Sequence, residues 1–153
     1  MFKKLLHITI FSVLFLSACG VPVSTSEPVE GSLPALAGSW TISMTHSGGI
    51  MGLSRSVQVD STGIYTVKDD RTNETFTGQL SEEELVDLVN VVKTTSYTSE
   101  KTPHGCADCF IYDIQITSDG GKFSAQVDDI SIEESGLSAL VMALRGIIER
   151  EIK

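Results

Sequence analysis

The chain has 153 residues, 41% hydrophobic and 20% charged, with 11 Lys plus Arg against 20 Asp plus Glu. That length suits one domain with an appended segment, and the apolar content excludes a disordered chain. The formal charge of -9 leaves too few cations to neutralise phosphates, which excludes nucleic acid as a partner and electrostatic docking on anionic lipid.

The chain opens on Met1-Phe2-Lys3-Lys4, a short basic stretch, followed by an apolar run from Leu5 to Phe15 and then Leu16-Ser17-Ala18-Cys19. The run is too short to span a bilayer, and basic residues flank only its front, so residues 1–18 read as a cleaved export signal. The Leu-Ser-Ala-Cys ending resembles the bacterial lipobox, which implies cleavage before Cys19 and lipidation of that cysteine. Several acyl chains on one residue would hold firmly, because each buried methylene contributes about 0.8 kcal/mol. The expected location is extracytoplasmic, anchored by lipid at the cell membrane or outer membrane. Cleavage removes Lys3 and Lys4 but no acid, leaving 135 residues and a charge of -11. Residues 19–37 then form the lipidated start and a flexible tether, since Val21 to Leu36 is rich in Pro, Ser, Thr and Glu. The folded domain is expected over residues 38–153.

Trp40, Ile42 and Met44 alternate with polar residues and predict a first strand. Val57 and Val59 repeat the pattern, and Ile64 to Val67 continues it after a Ser61-Thr62-Gly63 turn. Glu74 to Gly78 adds a short strand. Ser81-Glu82-Glu83-Glu84 is a capping box, with Ser81 as N-cap and Glu84 closing it. Leu85, Leu88, Val89 and Val92 follow with helical spacing, predicting a helix from Glu82 to about Lys93. Phe110, Tyr112, Ile114 and Ile116 form a strand that turns at Asp119-Gly120-Gly121 and returns through Phe123, Ala125 and Val127. Leu137, Leu140, Val141, Leu144, Ile147 and Ile148 form the apolar stripe of a last helix. The fold expected is α+β, an antiparallel sheet of four to six strands with both amphipathic helices on one face.

Motifs that carry catalysis are sparse. The chain beyond the signal holds His46 and His104, with no His-Glu-x-x-His, Gly-x-Ser-x-Gly or Walker loop. The acids follow caps, turns and solvated faces. This pattern points to a noncatalytic protein without cofactor or metal.

Cys106-Ala107-Asp108-Cys109 admits three readings. It is a redox pair, a zinc site completed by His104 and Asp108, or a small disulfide closing the loop before the Phe110 strand. Export to an oxidising compartment favours the disulfide, and Cys19, consumed by lipid, leaves an even pair. The other unusual segment is Ser47-Gly48-Gly49-Ile50-Met51-Gly52-Leu53-Ser54-Arg55. Its glycines suit a plain hairpin loop that needs positive φ, or a loop that offers its backbone and Ile50-Met51 to a partner.

These two segments, with the helix opening Gly-Gln-Leu-Ser-Glu-Glu-Glu-Leu, resemble the emfourin family from about Thr41 to about Glu149. The most specific matches are Gly48, Gly49, Gly52 and Arg55 in the first hairpin, and Asp108 and Tyr112 near the later strand. Emfourins are small bacterial α+β proteins that inhibit protealysin-like, thermolysin-related metalloproteases. The resemblance implies a noncatalytic inhibitor that docks at a protease cleft, with Ser47, Gly48, Gly49, Ile50, Met51, Gly52 and Arg55 as the partner-binding residues. The export signal and the Cys pair are not features the resemblance brings with it. The other readings are an envelope lipoprotein that binds a different protein partner, and a small Cys/His metal or thiol-redox protein.

Overall fold

The computed structural model describes residues 30–98 and 106–152. The export signal, Cys19, the first part of the expected tether and His104 lie outside the described residues. Among the described residues, eight strands and three helices follow one another: β1 (Glu30–Ser32), β2 (Thr41–Gly48), β3 (Leu53–Asp60), β4 (Ile64–Asp69), β5 (Glu74–Gln79), α1 (Glu82–Thr94), β6 (Ser96–Thr98), β7 (Phe110–Ser118), β8 (Gly121–Asp128), α2 (Ile132–Ser135) and α3 (Ser138–Glu151). Six of the strands form one antiparallel sheet in the order β5-β4-β3-β2-β7-β8, and β1 pairs with β6 apart from it. The architecture is α+β, with the sheet at the upper end of the expected strand number.

Period-2 alternation decides which face is covered. Register sets Tyr65, Val59, Ile42, Ile116 and Phe123 in one row across the sheet. Val67, Val57, Met44, Ile114 and Ala125 form the next. All of these except Phe123 are buried. A third row on the same face, at the end nearest the β2–β3 loop, is Asp69, Arg55, His46, Tyr112 and Val127. The opposite face carries Thr77, Thr66, Gln58, Ser43, Gln115 and Ser124 in register. No helix is needed over that polar surface, and the apolar stripes of α1 and α3 join the single core on the first face.

Both parts of the capping box form at α1. The Glu84 amide donates to the Ser81 hydroxyl at 3.2 Å, and the Ser81 amide donates to the Glu84 carboxylate at 2.8 Å. Leu88 and Val92 are its buried residues. In α3, Leu140, Val141, Leu144, Ile147 and Ile148 are buried against the sheet side. Each such side chain contributes about 1.5–3 kcal/mol when removed from water. The expected stripe is interrupted at its start: Gly136, with φ +75°, ends the short α2 before α3 begins. Among the described residues, no helix is long and apolar enough to cross a membrane.

The tether expectation is corrected for residues 30–37. Glu30–Ser32 pairs with Ser96–Thr98, and Leu33 is buried in the core. The Ser118 hydroxyl donates to the Ala35 carbonyl at 2.8 Å, and the Asp119 amide to the Ala37 carbonyl at 3.2 Å. The composition is that of a linker, but one leucine and the open backbone groups of β6 and the β7–β8 turn tie it down.

Candidate functional site

The hairpin joining β2 to β3 closes through a hydrogen bond from the Gly52 amide to the Gly49 carbonyl, 3.0 Å. Ile50 and Met51 occupy the two central positions of that turn. The left-handed conformations fall on Gly48, Gly49 and Gly52, with φ of +103°, +68° and +57°. Only glycine takes those angles without a steric cost, so the two apolar residues between keep ordinary backbone geometry. They are also the most exposed large hydrophobics among the described residues, Ile50 at 88% and Met51 at 75%. Neither side chain stabilises the fold at that exposure; both are displayed.

The tip is held from one side. β7 pairs with β2 so that Gly48 lies opposite Phe110, which brings the preceding Cys106–Cys109 turn beside the loop. The Gly49 amide donates to the Cys109 carbonyl at 3.2 Å. A Cβ on Gly48 would overlap that carbonyl, and one on Gly49 would stand 2.7 Å from the Phe110 ring. Cys106 and Cys109 form a disulfide with their Cα atoms 5.4 Å apart. In this oxidised state neither sulfur is a thiolate. Among the described residues, no group of three His, Cys, Asp or Glu is placed to hold a metal.

Beneath the tip lies an aromatic and charged layer. His46 stacks on Tyr112 and meets Phe110 edge-on, with centroids 4.9 and 4.8 Å away. Asp129 ties the other side: its carboxylate accepts from the Phe110 amide at 2.9 Å and the Tyr112 hydroxyl at 3.0 Å. Its own amide donates to the Phe110 carbonyl at 3.3 Å. Burial holds the His46 pKa below its ordinary value, and the nearby Arg145 and Arg55 charges add to this against Asp129 and Glu149. Burial, then the Asp129 contact, pushes the Tyr112 hydroxyl up.

The structure thus brings together two segments that stand far apart in the chain, the glycine loop and the Cys pair. Gly48, Gly49, Ile50, Met51 and Gly52 form the tip itself. Ser47 sits half-buried in the ladder between Ser54 and Ile111. Arg55 points elsewhere, onto the covered face, where its Nε contacts the Asp69 carboxylate at 3.0 Å. Its place is in the base of the hairpin. His46, Phe110, Asp129 and Arg145 are supporting residues that no sequence motif marks. His46 was findable, because it continues the Ile42, Met44 alternation toward the covered face. Asp129 and Arg145 were not, because only the sheet register and the packing of α3 bring them to it.

No family model, no curated protein and no solved structure matches this chain.

Proposed function

We propose that the chain is a noncatalytic, proteinaceous inhibitor of thermolysin-like metalloproteases, tethered outside the cytoplasm through lipid on Cys19. The observation that carries this reading is the β2–β3 tip, where a braced turn presents Ile50 and Met51 almost fully to solvent. An inhibitory loop needs apolar groups that a cleft can bury and a backbone that loses little freedom on docking. Burying either side chain on a partner would contribute about 1.5–3 kcal/mol. The resemblance of this hairpin and the Asp108–Tyr112 region to emfourins supplies the target class. The acidic surface would speed encounter with a cationic cleft.

The test is hydrolysis of a fluorogenic peptide by a panel of thermolysin-like proteases, including those encoded by the same cell. The purified chain is expected to slow at least one of them. Met51→Ser and Ile50→Ser are each expected to weaken inhibition about tenfold, equivalent to about 1.4 kcal/mol, without lowering the melting temperature. Absence of inhibition across the panel overturns the reading. Incorporation of a labelled fatty acid, lost in Cys19→Ser, tests the anchor.

A further inference from the structure

We propose that the Cys106–Cys109 bond is the positioning element of the Ile50–Met51 tip, so that the tip is set for its target only in the oxidised chain. For the identity of that target this rests on the protease-inhibitor reading. The position of the tip itself rests on geometry.

The tip's four-residue turn has one hydrogen bond of its own, from Gly52 to Gly49. Its side support comes from the segment that the disulfide closes. The Cys109 carbonyl accepts the Gly49 amide, the same carbonyl lies where any Gly48 side chain would sit, and the Phe110 ring covers Gly49. Phe110 is fixed on its far side by Asp129, through both its amide and its carbonyl. Cys109 precedes Phe110 and lies outside the β7 ladder, which begins at Phe110. The carbonyl that receives Gly49 is therefore oriented by the covalent turn on one side and the ladder on the other. With the bond opened, only the ladder side remains. Ala107 and Asp108 form the exposed bend of the turn. The turn it closes is joined to the tip through the Gly49–Cys109 hydrogen bond.

The chemistry closes without a cofactor in the chain. Two thiols lose two protons and two electrons as the Cys106–Cys109 bond forms. The S–S bond of an exchange partner breaks, and that partner leaves as a dithiol. The reduced precursor before export then carries an unset tip, and oxidation outside the cytoplasm sets it.

The experiment compares the wild-type chain, oxidised and reduced, with the Cys106→Ser/Cys109→Ser double variant. Amide hydrogen exchange is read at Gly49 in the tip and at Ile114 in the core. The expected result is Gly49 exchange about tenfold faster in the reduced and double-serine forms, with Ile114 unchanged. Inhibition of the responsive protease should weaken about tenfold in parallel. Equal Gly49 exchange in the two oxidation states overturns the proposal. So does faster exchange at Ile114 by the same factor, which would place the disulfide's effect on the whole fold. If no form inhibits any protease, the inhibitor reading falls while the exchange comparison still decides the positioning role.

Discussion

His46 lies flat against Tyr112, ring centroids 4.9 Å apart, and its Nε2 has no hydrogen-bond partner among the described residues. The side of β2 that carries Ile42 and Met44 into the core carries this imidazole in with them. Around it stand Phe110 and Tyr112 from β7, Arg55 from β3 with its partner Asp69 from β4, Asp129 beyond β8, and Arg145 and Glu149 from α3. A proton on His46 would add a buried cation beside Arg145 and Arg55, only partly offset by Asp129 and Glu149. Burial, then Arg145, depress its pKa.

The sign of the pH dependence follows. The unfolded chain takes up the proton near pH 6.5, while the folded chain resists it. The stabilisation is fully present above the unfolded pKa. It is lost as pH falls from there through the lower folded pKa, and is level below that. Urea midpoints are expected to drop between pH 7.5 and 5. His46→Phe, which keeps the aromatic stack and removes the proton site, should flatten that part of the curve. An unchanged slope in His46→Phe would assign the effect to other groups.

Gly49 can take no side chain at the tip without a shift of its neighbour. Its φ is +68°, and a Cβ there would stand 2.7 Å from the Phe110 ring, which leaves no place for alanine. Gly49→Ala is expected to cost about 1–2 kcal/mol from the left-handed backbone alone, with more from displacing Phe110. Thermal denaturation reads the loss. A variant as stable as wild type would show that the turn rearranges freely.

Ser81→Ala removes the hydroxyl that accepts the Glu84 amide. The loss expected is about 1 kcal/mol, typical of an N-cap. Glu84 is also held below the usual carboxylate range, first by the Ser81 amide and then by the Ser81 hydroxyl and Arg150. Its stabilisation is present above the unfolded carboxylate pKa and fades as pH falls through the lower folded value. Chemical denaturation of Ser81→Ala at pH 7 checks the first effect. A change below a few tenths of a kcal/mol would mean that Glu84 and Arg150 hold the helix start without the cap.

Leu33 distinguishes a tether from an integral segment. It is buried, and the pairing of Glu30–Ser32 with Ser96–Thr98 precedes it. Leu33→Ala is expected to destabilise the domain by about 2 kcal/mol, the low end for a buried leucine. An unaltered melting temperature would return residues 30–37 to the role of linker.

The six strands of the large sheet, the two main helices and the capping box are legible because each is written in local periodicity or spacing. Trp40, Ile42 and Met44 repeat every second residue; Leu140, Leu144 and Ile148 repeat at helical spacing. The short β6 was not legible, because three residues of Ser-Tyr-Thr carry no period. Leu33 was missed for the opposite reason: its neighbours spell a linker, and its burial depends on a surface made elsewhere. At the site, the glycine loop and the Cys pair each stood out alone. Arg55 joins the loop residues through the emfourin resemblance, while strand alternation sends its side chain to Asp69 on the covered face.

The amino-acid order by itself determined the six strands of the large sheet, the two long helices and the face each buries, since hydrophobic period and capping chemistry act over a few residues. It also determined that Ile50 and Met51 sit between glycines in a turn. Only the tertiary structure decided that the Cys106–Cys109 turn lies against that loop, that His46 is enclosed by Phe110, Tyr112 and α3, and that Asp129 fixes Phe110. The reason is register. Pairing β7 beside β2, with Gly48 opposite Phe110, joins residues about sixty positions apart, and no local pattern in either strand specifies its partner across that distance.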